Sequence, residues 1–294
     1  MWSVLLIVTC MCSSRETNFL NLLGVCMVNY DKAFEIGKHI PNAHKIIKNA
    51  QDRSVDFRNS MLAAKNARLD VKYGVSDRNT MDVFTPSSPP RATLIFIHSG
   101  TWFKSDKSLW SHLAKGSMEN DIRVVIPNHT LCPNASIPEI TQQIKQCVEA
   151  VAAQFSGPIV IAGHQSGGHL AARMACAGVL SPSASARIAH VMPISPICDL
   201  NPLINTTMNE QLNLTEETAA SESPTLSELE EDFTVTVWVG SDERPVYLEQ
   251  AKLLASRWDC YFVNSKDRNH FDVIDGMEIQ TSKLLARLFF NIDL

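Results

Sequence analysis

Several chemistries are missing from this 294-residue chain. It has no C-x-x-C pair, no phosphate-cradling Gly-Lys loop, no dinucleotide-type glycine pattern and no internal repeat. That sets aside a thiol-paired metal or redox site, nucleotide binding of the usual kinds, and a solenoid. Basic charge is not in excess: 26 Lys and Arg stand against 31 Asp and Glu, a net charge of −5. Without a basic footprint, nucleic acid is excluded as an expected partner. The chain also lacks a long apolar run. Its opening, MWSVLLIVTCMC, is apolar but shorter than the ~20 residues that cross a bilayer. It has no positive n-region, so secretion through residues 1–26 is the less favoured reading. Residues 1–29 are expected to be an N-terminal extension, or the product of a start assigned too early, ahead of one domain over 30–294.

What is present suits a soluble globular protein. Hydrophobic residues make up 45% of the chain and charged residues 19%, enough for a large core. Eight cysteines are scattered along it, at 10, 12, 26, 132, 147, 176, 198 and 260. A chain with its own core needs no staples, so they are read as mostly reduced, buried thiols in a cytoplasmic protein. From about residue 66, strand and helix patterns alternate. The apolar runs ATLIFIHSG (92–100), IRVVIPNH (122–129), PIVIAGH (158–164) and IAHVMPIS (188–195) read as strands, the continuous ones buried on both faces. Helical stretches fall at 108–120, 136–155, 167–180, 246–258 and 278–292, the second opened by Ser136 with Glu139 three residues on. Residues 201–232 carry no strand signal and are expected to run over the active-site end. Alternation of this kind predicts an α/β fold with a mainly parallel central sheet and helices on both faces.

Such sheets bind ligands at the carboxyl ends of their strands. Three ends carry candidate chemistry. In VIAGHQSGGHLAARM, strand, glycines and helix form the shape of a nucleophile elbow, G-x-S-x-G. Its apex is Gln165, with Ser166 one step late. HSGTW, His98–Trp102, follows the third strand and offers backbone N–H groups for an oxyanion; Ser99, Gly100 and Ser166 are the expected donors, with His98 and Trp102 lining the pocket. VGSDERP offers Asp242 and Glu243, and DRNHFDVID offers His270. Nucleophile, acid, histidine is the chain order of the α/β-hydrolases. His164 and His169 lack a third ligand, so no metal is expected.

In these blocks, and in NYDKAFEIGKHIPNA, YGVSDRNTMDVFTP, IFIHSGTWFKSDKS and LNLTEETAASESP, the chain resembles the kynurenine formamidases (arylformamidases) of the α/β-hydrolase superfamily. The resemblance runs from about Tyr30 to the C-terminus. It implies hydrolysis of a formyl amide in tryptophan breakdown, with no cofactor. It places the family acid on Glu243, not Asp242, the histidine on His270, and the oxyanion loop on His98–Trp102 with Ser99 in place of a glycine. It places the nucleophilic serine on Gln165. An amide is no nucleophile at neutral pH. Two readings stay open. One is a hydrolase of acyl or formyl aromatic amides or esters, using a Glu243–His270-activated water or Ser166 as surrogate. The other is an inactive relative that binds a small aromatic or acyl ligand or a partner protein. A small molecule and a second copy of the chain are the admissible partners; a membrane is not.

Overall fold

The computed structural model describes residues 28–292. The N-terminal expectations for residues 1–27 lie outside these. Eight strands form one sheet: β1 (Ala67–Lys72), β2 (Thr80–Phe84), β3 (Ala92–Ile97), β4 (Ile122–Pro127), β5 (Ile159–His164), β6 (Ile188–Ile194), β7 (Thr236–Gly240) and β8 (Tyr261–Ser265). Their order is β1-β2-β4-β3-β5-β6-β7-β8. β2 is antiparallel to both β1 and β4, and every pairing from β4 onward is parallel.

The run of apolar residues in β3 and β5 follows from this order. Both strands are central, and every residue of each is buried. Alternate side chains feed two apolar layers: Ile95 and Ile97 join the layer on one face, Leu94 and Phe96 the layer on the other. The edge strands read differently. β1 alternates between half-buried and exposed, and β8 is largely exposed. The Ile137–Gln154 helix starts where the sequence marks it. The Glu139 carboxylate accepts from the Ser136 backbone N–H at 2.7 Å, and Ile137, Ile140, Ile144, Val148 and Val151 are buried along one face.

Three expectations need correction. Residues 108–120 are not one α-helix but a 3-10 helix (Lys107–Ala114) followed by a short α-helix (Lys115–Met118). The C-terminal helix spans only Lys283–Leu288, with a 3-10 turn at Asp275–Glu278 before it. The helix after the elbow, Ser166–Met174, stops early because Cys176 turns to bridge Leu229. A 21-residue helix, Ala43–Ala63, has no counterpart in the sequence reading. Its one fully buried residue is Ser54, while Phe57 and Met61 pack partly buried against the core.

Polar contacts add to the packing of Phe57 and Met61 against the core, where Phe57 meets Phe84 at 5.2 Å between ring centroids. Ser54 Oγ donates to the Leu109 carbonyl at 2.8 Å and lies 2.6 Å from His112 Nδ1. Arg58 pairs with Asp82 and donates to Ser111 Oγ at 3.1 Å. Asp82, fully buried, also takes Lys107 Nζ at 3.0 Å and the Asp70 backbone N–H at 3.0 Å. Among the described residues Cys132, Cys147, Cys176 and Cys198 are buried free thiols, and Cys260 is a half-buried one. No helix of the described residues is long and apolar enough to cross a membrane.

Asp82 is therefore the common anion for two cations. Asp82→Ala leaves the buried Lys107 ammonium with Asp70 alone and frees Arg58. Breaking a buried pair costs about 3–5 kcal/mol. Urea unfolding should show a loss toward the lower end of that range, because Asp70 stays 2.6 Å from Lys107. A loss under about 0.5 kcal/mol, the scale of ordinary surface changes, would show that the cluster carries no stability.

Candidate active site

The carboxyl ends of β3, β5, β6, β7 and β8 meet around one point. At the end of β5 the chain turns sharply into the Ser166–Met174 helix. Gln165 is the turn, with φ 55° and ψ −112°, far from any region an L-residue ordinarily takes. Its N–H donates to the Ile194 carbonyl at 2.9 Å, and its own carbonyl accepts from His169 N–H at 2.9 Å. The helix can start this close to the sheet only without side chains at the contact. A Cβ on Gly167 would lie 2.1 Å from the Ile97 carbonyl oxygen.

The acid comes from the turn after β7. Glu243 Oε2 lies 2.5 Å from His270 Nδ1, so that nitrogen donates to the carboxylate. Glu243 Oε1 accepts from Gly240 N–H at 2.9 Å and from Ser195 Oγ. Both carboxylate oxygens are thus engaged, and Glu243 and His270 are 7% and 2% exposed. Asp242 is exposed and accepts only from Ser241 Oγ, its neighbour. This arrangement fixes the His270 tautomer that leaves Nε2 free to accept a proton. The His270 ring packs 4.3 Å from Tyr247 and 4.6 Å from His164, centroid to centroid.

Gln165 faces this group through Tyr247. Its Nε2 donates to Tyr247 Oη at 3.3 Å, and Tyr247 Oη donates on to the Phe34 carbonyl at 3.4 Å. Burial pushes the Tyr247 phenol well above its usual range. At the other end of the amide, Gln165 Oε1 accepts from Gly100 N–H and Thr101 N–H, each at 3.3 Å.

The loop after β3 departs from the sequence reading by one residue. The two N–H groups aimed at position 165 belong to Gly100 and Thr101, not to Ser99 and Gly100. Ser99 contributes its carbonyl, which accepts from His98 Nδ1 at 2.9 Å, and its backbone stays turned that way. Ser166 begins the helix, 1% exposed, and no hydrogen bond joins its hydroxyl to His270 among the described residues. His98 and Trp102 are buried and are not part of the lining of the cleft of about 420 Å³ beside the site. Trp102 is fully buried in the core and meets His169 edge-on at 5.1 Å. Its positive φ of 62° folds it inward beneath the loop. His98, 1% exposed, stacks on His129 at 5.4 Å and lies 3.2 Å from Asn128 Oδ1. Both residues support the loop from below. His164 and His169 face different partners, and no group of three potential metal ligands exists among the described residues.

A cleft of about 420 Å³ opens beside these groups, a volume that suits a small molecule. Ser99, His164, Leu109, Trp110 and Phe271 line it, together with Ile46, Ile47 and Ala50 of the Ala43–Ala63 helix. Sequence reasoning missed most of this lining, because the Ala43–Ala63 helix that supplies part of it was not expected from the sequence. It also missed Tyr247 and Ser195, whose roles depend on strands that meet only in the sheet. His164 is buried, and burial holds it far below the usual histidine range, so it is neutral.

These features define an α/β-hydrolase with the carboxylate–histidine pair in place. The BD-FAE family model matches residues 81–258, more than half of the chain, and the chain belongs to that family. It is 27% identical to a kynurenine formamidase of Danio rerio over 238 residues, covering 76% of this chain and 81% of that one. It is 26% identical to a kynurenine formamidase of Salmo salar over 193 residues, 63% of this chain and 66% of the other. A crystal structure from a Silicibacter species, provisionally assigned as a thioesterase, superposes with a TM-score of 0.86 at 42% identity, covering 89% of this chain and 99% of that one. A truncated carbohydrate esterase from gut microbiota shares the fold at 17% identity and a TM-score of 0.62, over 76% and 95% of the two chains.

At the cleft rim, Arg53 lies 2.9 Å from Glu278 and 3.9 Å from Asp275. Burial pushes the Asp275 carboxyl up to about 6, and Glu278 upward too. A raised carboxylate contributes stability while protonated and loses it as pH rises through the folded value. Asp275→Asn should therefore melt higher than the unmodified protein at about pH 8 and lose that advantage below about pH 4. Asp275 is 44% exposed, so solvent screening keeps the gain under about 1 kcal/mol. Thermal melts at the two pH values check this; an advantage independent of pH would contradict the assignment.

Proposed function

We propose that this protein binds a small aromatic acyl or formyl compound in the cleft beside Gln165 and forms no acyl-enzyme with it. The observation that carries the reading is the carboxamide at the apex of the elbow. An amide side chain cannot attack a carbonyl, and Ser166, one residue on, is committed to the helix start and makes no hydrogen bond to His270. Displacement of a reacting group by about 1 Å already costs on the order of a hundredfold in rate. The curated relatives named kynurenine formamidase support an N-formyl aromatic amide as the ligand class, and with it a cytoplasmic place in tryptophan breakdown. The aromatic and aliphatic walls of the cleft, Trp110, Phe271, Ile46 and Ile47, suit a planar apolar body.

A second reading is favoured by one specific feature. The Glu243–His270 pair is intact, and His270 Nε2 can take a proton from water. Slow hydrolysis by an activated water is the activity this allows, without a covalent intermediate.

The test is labelling with a fluorophosphonate, alongside hydrolysis of N-formyl-kynurenine and of a short-chain nitrophenyl ester. The unmodified protein should bind N-formyl-kynurenine by calorimetry, remain unlabelled, and turn both compounds over slowly or not at all. Gln165→Ser should label and gain ester hydrolysis by about a hundredfold or more, since loss of a triad nucleophile leaves only what oxyanion donors and binding supply. Stoichiometric labelling of the unmodified protein at Ser166, with activity lost in Ser166→Ala, would show that the nucleophile has moved by one residue.

A further inference from the structure

The loop after β3 delivers two donors to one acceptor. Gly100 has φ 143°, Thr101 51° and Trp102 62°. A Cβ on Gly100 would stand 2.2 Å from the Lys104 carbonyl oxygen, so the reversal is closed to other residues. This path turns the successive N–H groups of Gly100 and Thr101 to the same side, and Gln165 Oε1 receives both. Tyr247 holds the other end of the amide. Gln165 is 5% exposed and hydrogen-bonded by its carbonyl and its amino group alike. Its carbonyl oxygen occupies the position that two backbone N–H donors offer to the carbonyl oxygen of a bound acyl compound.

We infer that Gln165 is an internal ligand of this donor pair, and that the pair is a binding site for the carboxylate of a small apolar acid, which competes with Gln165 for Gly100 and Thr101. The inference rests on the reading that position 165 does no covalent chemistry. Three observations select the ligand. The two contacts, at 3.3 Å each, are at the long end for N–H···O bonds, so the amide is held weakly enough to be displaced. A carboxylate forms shorter, charge-assisted bonds to N–H donors, roughly twice as strong as neutral ones, so it outcompetes an amide. Ser99, next to the donors, lines the apolar cleft, where the body of the acid fits between Trp110 and Phe271. His164 lines the same cleft.

The probes are benzoate, its neutral counterpart benzamide, and the cation benzylamine. Each is titrated into ¹⁵N-labelled unmodified protein, Gln165→Gly and Gln165→Met, with the Gly100 and Thr101 amide resonances as readout. Glycine accepts the φ of position 165 without strain, so the first variant keeps the turn. In Gln165→Gly, benzoate should bind at least about tenfold more tightly than to the unmodified protein and move both resonances saturably, consistent with charge-assisted bonds to vacated donors. Benzamide should bind more weakly, and benzylamine should leave the two resonances in place. Methionine fills the space with only a weak thioether acceptor, so both resonances should shift upfield in Gln165→Met before any probe is added. Equal benzoate affinity in the unmodified and glycine proteins would overturn the inference. So would Gly100 and Thr101 resonances unchanged in Gln165→Met, a readout that decides alone if the glycine variant does not fold. Fluorophosphonate labelling at Ser166 would instead remove the non-covalent reading, and these titrations are separate from it.

Discussion

The turn at Gln165 is the constraint on which the site depends. A strand must stop, reverse and enter a helix within one residue, and the helix must begin against the sheet. Gln165 takes a φ of 55° there, and the absence of a side chain on Gly167 lets the helix start touch the Ile97 carbonyl. The strain is retained because hydrogen bonds fix the turn on both sides, to Ile194 from β6 and to His169 within the helix. Every other group is placed relative to that apex. The donor loop follows β3, which pairs with β5 in register up to Ile97 and Gly163. Glu243 and His270 follow β7 and β8, which lie on the other side of β6.

A position that tolerates only one backbone geometry does not tolerate only one side chain. The glycines around the elbow satisfy sterics, and those sterics are indifferent to whether the apex carries a hydroxyl or an amide. That is why the chain keeps the whole hydrolase frame, including the Glu243–His270 hydrogen bond, with a residue that cannot attack. Glutamine is also long enough to reach Gly100 and Thr101, which a serine hydroxyl on the same Cα would leave free for a substrate oxygen. The frame therefore accommodates a glutamine at the apex, with the two backbone donors satisfied by it.

The cleft shows a related division of labour. Ser99, His164 and Phe271 contribute to its lining, and so does Ala43–Ala63, a helix attached both by Phe57 and Met61 against the core and by Ser54, Arg58 and the Asp82–Lys107 cluster. Nearer the start of that helix, Ile46, Ile47 and Ala50 line the cleft instead of the core. Arg53 and its two acidic partners close the rim, where partial burial shifts the carboxyl groups upward.

Much of the architecture was legible in the sequence because it rests on local pattern. Continuous apolar runs mark strands buried on both faces, Ser136 with Glu139 marks a helix start, and the elbow glycines mark a strand–helix turn. Gln165, Glu243 and His270 each follow closely on a strand-like run, and that spacing alone puts all three at strand ends. What the tertiary structure decided depends on neighbours distant in the chain. Ala43–Ala63 was not recognised because its one fully buried residue is the polar Ser54, whose partner Leu109 lies 55 positions away. Trp102 reads as a pocket wall until its positive φ turns it into the core. Whether Ser99 or Thr101 gives the second N–H depends on backbone angles that residue type does not dictate. Tyr247 and Ser195 carry no motif, and they matter only because parallel pairing brings the ends of β5, β6 and β7 together.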